Sequence, residues 1–199
     1  QIPVPNIKIR EYQTQAVTHA LTHKRAVLVS PTASGKSLII YYIIRKMIEE
    51  NKRVLLIVPT TSLVEQMYKD FKDYGWDVDT NVQRKYYGYD IDENKPVVVS
   101  TWQSLATFDK SFFEQFNCVI GDEAHLYKSK ELQKILGACI NAEYRIGTTG
   151  TLDDSKVHKL ILEGLFGQVK YVVSTKDLMD KGQLADLKIE CVVLKYPKE

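Results

Sequence analysis

The stretch Ser30-Pro31-Thr32-Ala33-Ser34-Gly35-Lys36-Ser37 combines small side chains, one glycine, one lysine and a closing hydroxyl. Its last three residues match the end of the pattern G-x-x-x-x-G-K-[ST], in which successive backbone N–H groups surround phosphate oxygens. Gly35 lets the chain approach the anion closely, and the helix-forming residues that follow aim a helix N-terminus at it. In this reading Thr32, Ala33 and Ser34 complete the cradle, Lys36 reaches the β and γ phosphates, and the Ser37 hydroxyl binds Mg²⁺. Ser30 stands where the first glycine of the pattern belongs. The same residues can also be read as a Ser/Thr helix cap followed by a solvated lysine.

A second chemical candidate closes the run Cys118-Val119-Ile120-Gly121-Asp122-Glu123-Ala124-His125. Two adjacent carboxylates at the end of a buried strand are costly unless a metal or strong donors receive them. Beside a nucleotide their roles separate. Asp122 holds Mg²⁺, through water, and Glu123 orients and deprotonates the attacking water. Taken alone, Asp-Glu is an ordinary surface pair.

Elements must bring these two stretches together. Apolar β-branched runs recur at 26–30, 53–59, 96–101, 117–121 and 144–147, continuous rather than alternating, as expected for strands buried on both faces of a parallel sheet. Helical segments are expected between them at 36–50, 62–74, 102–108 and 129–141. Strand and helix in alternation predict an α/β fold with right-handed crossovers, a three-layer α/β/α parallel sheet in one domain over 1–199. Ligands bind outside the carboxyl ends of such strands, where both candidate stretches fall. Further strands are expected at 171–174 and 187–195, with a short helix at 175–181. The segment 81–92, with Arg84, Lys85, Tyr86, Tyr87 and Tyr89, reads as a strand and loop at the sheet edge, or as a base-stacking surface. The charges at 24–25 and 49–53 read as solvated turns.

Bulk properties set limits. The 199 residues are 44% hydrophobic and 26% charged with net charge +2, so a polyanion partner must be bound by a local surface rather than by global charge. Cys118, Cys139 and Cys191 show no metal or redox spacing and read as buried reduced thiols of an intracellular protein. The histidines give no metal-ligand pattern, and no run approaches the ~18 apolar residues of a membrane helix.

Asp122-Glu123-Ala124-His125 resembles the DEAH form of motif II of superfamily 2 helicases, and Pro31–Ser37 resembles their motif I, with Ala33 and Ser37 where Gly and Thr are commoner. Other blocks follow in family order. Arg10-Glu11-Tyr12-Gln13 resembles the upstream adenine-recognition element. The segment 59–66 resembles motif Ia, 100–104 motif Ib, and Thr149-Gly150-Thr151 stands where Ser-Ala-Thr is usual in motif III. Within the superfamily, 57–61, 97–103 and 178–197 look most like phage UvsW-type branched-DNA helicases.

The resemblance implies a RecA-like P-loop NTPase domain using ATP and Mg²⁺. It implies that Arg10 stacks on adenine while Gln13 bonds its edge, or else both lie on a plain amphipathic helix. Thr60, Thr61, Thr101 and Trp102 would contact a nucleic-acid backbone, or cap helices and pack. His125 would couple motif II to Thr149, and Thr149 with Thr151 would relay ATP state to nucleic-acid grip. The expected activity is an ATP-dependent DNA helicase or translocase of recombination, repair or replication, acting on branched DNA or single-strand/double-strand junctions, with no membrane partner. The expected location is the cytoplasm, or the host-cell cytoplasm if phage-encoded. Such motors draw arginine fingers from a second RecA-like domain, expected after 199, so the chain alone should hydrolyse ATP weakly. Double-strand translocation without unwinding, an RNA helicase and a nucleotide-binding regulatory module are the alternatives.

Overall fold

The computed structural model describes residues 4, 7–31, 33–86, 95–152 and 155–182. Among them the β-branched runs become strands in which nearly every residue is buried: β1 (Arg25–Val29), β2 (Val54–Val58), β4 (Val97–Thr101), β5 (Cys118–Asp122) and β6 (Tyr144–Thr149). Two shorter strands, β3 (Val82–Lys85) and β7 (Val169–Tyr171), close the edges. All seven are parallel, in the order β3-β4-β2-β5-β6-β1-β7.

Helices cover both faces. On one face α1 (Glu11–His23), α2 (Lys36–Glu49) and α3 (Thr61–Asp73) pack with the one-turn α4 (Val78–Asn81). The other face carries the short α5 (Trp102–Leu105) and α6 (Lys110–Glu114), a 3-10 turn over Ala124–Lys128, α7 (Lys130–Ala138) and α8 (Lys156–Leu165). The last described helix is α9 (Thr175–Asp180). Polar side chains cap three of the helix starts: Thr60 accepts from Leu63 N at 3.3 Å, Thr101 from Ser104 N at 3.4 Å, and Ser129 from Leu132 N at 3.3 Å.

The three-layer parallel architecture expected from the sequence is present. Several local expectations are corrected. The helix expected over 102–108 stops at Leu105, and a separate turn forms at Lys110–Glu114. The strand expected at 171–174 lies earlier, at Val169–Tyr171, because it pairs with Val27–Val29 of β1. No helix is expected where α8 forms: Leu162 and Leu165 pack on the core, but the apolar Val157 and Leu160 are two-thirds exposed while His158 is buried, which blurs the apolar stripe. The strand expected at 187–195 lies outside the described residues. Cys118 and Cys139 are buried free thiols whose protons burial holds on, Cys139 being pushed up to about 12; Cys191 lies outside the described residues. Among the described residues no helix is long and apolar enough to cross a membrane.

Candidate nucleotide site and nucleic-acid edge

Every candidate residue with a described position, apart from Arg10 and Gln13 at the start of α1, lies at the carboxyl end of a strand or in the segment that follows it. The pairing register aligns those ends, with Val29 beside Thr149, Asp122 beside Thr148, and Val58 beside Thr101. The phosphate-type loop links β1 to α2. Gly35 has φ +77° and Ala33 φ +67°, so two left-handed turns curl the chain before the helix starts. Ser30 fills the place of a glycine by bonding: its Oγ lies 2.6 Å from Ser34 Oγ, and its N–H donates to Thr149 O at 2.9 Å. The first N–H groups of α2 have no intrahelical acceptor and face the loop side. Thr32 lies outside the described residues.

Lys36 reaches from α2 to both carboxylates, with Nζ 2.9 Å from Asp122 Oδ1 and 2.7 Å from Glu123 Oε1. Burial alone would lower its pKa, but the attraction of Asp122 and the hydrogen bonds to both acids outweigh that and raise it. Asp122 is almost wholly buried and also accepts from Thr148 Oγ1 at 2.8 Å. Glu123 sits at φ +50°, a left-handed conformation costly for a residue with a Cβ and typical of strained functional positions. Gly121 and Gly147 make room beneath the acids: a Cβ on Gly121 would lie 2.7 Å from the Tyr127 ring, and one on Gly147 3.0 Å from Ala124 Cβ.

His125 Nδ1 lies 2.9 Å from Thr149 Oγ1 and 3.3 Å from Glu123 Oε2. Thr149 spends its proton on the carbonyl of Thr151 at 2.7 Å, so it can only accept from His125, and Nδ1 is therefore the protonated ring nitrogen. One proton network thus joins Glu123, His125, Thr149 and Thr151.

Gln13 has a structural role beside the one expected of it. It is buried; its amide oxygen accepts from Arg10 N at 2.9 Å and its amide nitrogen donates to Ser34 O at 2.8 Å. Each end of the amide makes one bond inside the protein, so it braces the loop against α1 while keeping a second N–H and a second lone pair for a base edge. Tyr12, which sequence reasoning did not single out, does the same, donating to Ser34 O at 2.8 Å while accepting from Arg10 NH1 at 2.9 Å. A cavity of about 440 Å³ beside Arg10 is lined by Glu11, Tyr12, Gln15 and Lys181.

At the neighbouring strand ends Thr60 and Thr61 are exposed at the start of α3. Thr101 is buried with its hydroxyl spent on Ser104, and Trp102 is half-buried against the core. The basic and aromatic residues at the sheet edge are engaged with one another. Arg84 pairs with Glu65 at 2.7 Å and stacks over Tyr68, and Tyr86 donates to Glu65 at 2.7 Å. This favours the edge-strand reading of that segment; Tyr87 and Tyr89 lie outside the described residues.

The donors present fit a Mg²⁺–nucleotide complex. One ammonium against two carboxylates leaves a negative charge able to accept a divalent cation, and α2 offers free N–H groups to phosphate. Among the described residues no group of three or more His, Cys, Asp or Glu side chains could hold a metal unaided. Mg²⁺ here would depend on one carboxylate, the Ser37 hydroxyl and phosphate oxygens, its usual mode in nucleotide sites.

Residues 6–154 match the family described as type III restriction enzyme, res subunit. The chain is 36% identical over 193 residues to the ATP-dependent DNA helicase uvsW of Enterobacteria phage T4, covering 94% of this chain and 38% of that protein. It is 31% identical over 204 residues to the DNA 3'-5' translocase XPB2 of Sulfurisphaera tokodaii, covering all of this chain and 44% of the other. The crystal structure of the UvsW helicase from bacteriophage T4 superposes with a TM-score of 0.76 at 32% identity, over 86% of this chain and 63% of that one. The chain therefore spans less than half the length of these two sequence relatives.

Proposed function

For a chain that belongs to the type III restriction enzyme res-subunit family of superfamily 2 motors, we propose the role of ATP-hydrolysing motor domain in a DNA helicase or translocase acting on branched DNA. The observation that carries this reading is Lys36 held between Asp122 and Glu123, with Glu123 joined through His125 to Thr149.

Each residue has a derivable task. The Lys36 ammonium, kept protonated by its neighbours, exchanges a carboxylate for the β and γ phosphate oxygens of ATP. The free N–H groups from Gly35 to Ser37 cradle the same phosphates, and Arg10 covers the adenine beside its cavity. Bound Mg²⁺ would neutralise charge developing on the transferred phosphoryl group, held by Asp122 and Ser37. Glu123 accepts the proton of the attacking water. As it does so, its hold on His125 changes, and the network passes that change to Thr149 and Thr151. Thr60 and Thr61, exposed on the adjoining strand end, offer hydroxyls and N–H groups to a phosphate backbone, contacts that carry no sequence information and suit a motor stepping along any sequence. Thr101 and Trp102 support that edge from beneath. A second RecA-like domain would complete the site with arginine fingers, so that this domain alone turns over slowly.

The test is the ATPase rate of the full-length protein with and without branched DNA, beside Glu123→Gln. A large stimulation by DNA, reduced by about 10²–10⁴ in the variant, is expected for loss of a general base. Absence of stimulation by DNA and by RNA would overturn the motor reading in favour of a nucleotide switch.

A further inference from the structure

Ser37 has a single proton to give and lone pairs to offer. Its Oγ lies 2.8 Å from the phenol oxygen of Tyr74, which stands at the far end of α3, the helix whose first turn carries Thr60 and Thr61. Tyr74 is itself well fixed. Its backbone N–H donates to Asp70 O at 2.9 Å, and its ring packs edge-on against Tyr41 with centroids 5.1 Å apart. A tyrosine phenol is both a donor and an acceptor, so its oxygen can give a hydrogen bond and receive one.

A serine oxygen that offers its lone pair to a cation must send its proton elsewhere, and a nearby cation makes that proton more acidic. The Tyr74 oxygen lies within reach as an acceptor. We propose that Tyr74 is a positioning residue of the nucleotide site: its oxygen accepts a hydrogen bond from the Ser37 hydroxyl and so turns the Ser37 lone pairs toward Mg²⁺. The proposal rests on the assignment of Ser37 as a Mg²⁺ ligand. It deepens that assignment with a residue outside the phosphate loop and the acidic motif.

Binding of a fluorescent ADP analogue to the full-length protein, titrated with Mg²⁺, tests this without turnover. Tyr74→Phe removes the acceptor and keeps the ring. The Mg²⁺ concentration for half-maximal nucleotide binding should rise about two- to tenfold, the span of one net hydrogen bond, with binding in EDTA unchanged. In a Ser37→Ala background the same change should have no further effect. An unaltered Mg²⁺ requirement in Tyr74→Phe would overturn the proposal. So would an equal effect in the Ser37→Ala background, which would mark Tyr74 as a packing residue only. Nucleotide binding indifferent to Mg²⁺ in the unmodified protein would instead remove Ser37 as a ligand, and this proposal with it.

Discussion

Replacing Gly35 by alanine separates two reasons for a glycine in a phosphate loop. Close approach to phosphate is one. The structure adds another: a Cβ there would lie 2.4 Å from Gln13 Nε2, at a backbone φ of +77°. The left-handed conformation costs a residue with a Cβ about 1–2 kcal/mol. Gln13 cannot swing aside freely, because its amide accepts from Arg10 N at 2.9 Å and donates to Ser34 O at 2.8 Å. Displacing it forfeits both bonds, at about 1 kcal/mol each. Gly35→Ala should therefore destabilise the nucleotide-free domain by about 3–4 kcal/mol, combining the conformational cost with the lost bonds. In a Gln13→Ala background only the conformational part, about 1–2 kcal/mol, should remain. Equilibrium urea unfolding of both single variants and the double variant gives the coupling directly. A coupling below about 0.5 kcal/mol, within the range of independent sites, would refute the packing of Gln13 against the loop.

Two further predictions concern the same loop. Lys36→Met should abolish nucleotide binding and destabilise the domain by about 3 kcal/mol, since it strands the buried Asp122 carboxylate with Thr148 as its remaining described partner, while the more exposed Glu123 contributes little. Because the folded-state pKa of Lys36 is raised, its contribution is complete below the ordinary lysine value of 10.5 and is lost only as pH climbs past it. The stability gap between the unmodified protein and Lys36→Met, followed by urea unfolding, should stay flat through neutral pH and close only in strong alkali. Ala33→Gly should raise stability by at most about 1 kcal/mol, relief of the left-handed φ being partly offset by unfolded-state entropy. Calorimetry should show Tm rising by about 2–4 °C, and a fall would mean that the Ala33 methyl is packed.

What the sequence made legible was local. Continuous runs such as Val54–Val58 announce a strand buried on both faces, and the residues after them fall at the carboxyl edge because a parallel sheet puts every such end on one side. The order of strands was not legible, since pairing β2 with β5 across the intervening β3 and β4 is decided by packing, not by local composition. Helix α8 was hidden because Val157 and Leu160 point outward while His158 points in. The bracing role of Gln13 was hidden for a related reason. An amide has the same bonding capacity toward a base or a backbone carbonyl, and only the fold shows that one of its donors goes to Ser34. Tyr74 carried no signal at all, lying far along the chain from Ser37 in a stretch of ordinary amphipathic helix.

The departures from the family pattern are accommodated by the fold in different ways. Ser30, in the place of a glycine, bonds Ser34 and so pins the loop that glycine would leave free. Thr149, in the place of serine, keeps a hydroxyl that binds the Thr151 carbonyl and receives His125, and Gly147, two residues earlier, leaves space for Ala124 beneath the acids. Ala33 gains no such partner. It holds a left-handed φ with only a methyl group and no bond to offset it, which is why glycine is commoner there and why that position, alone among the substitutions, should gain stability on reversion. The network from Glu123 to Thr151 therefore survives the change of letters because what it requires at the end of β6 is one hydroxyl that donates to the Thr151 carbonyl and accepts from His125, and threonine supplies it.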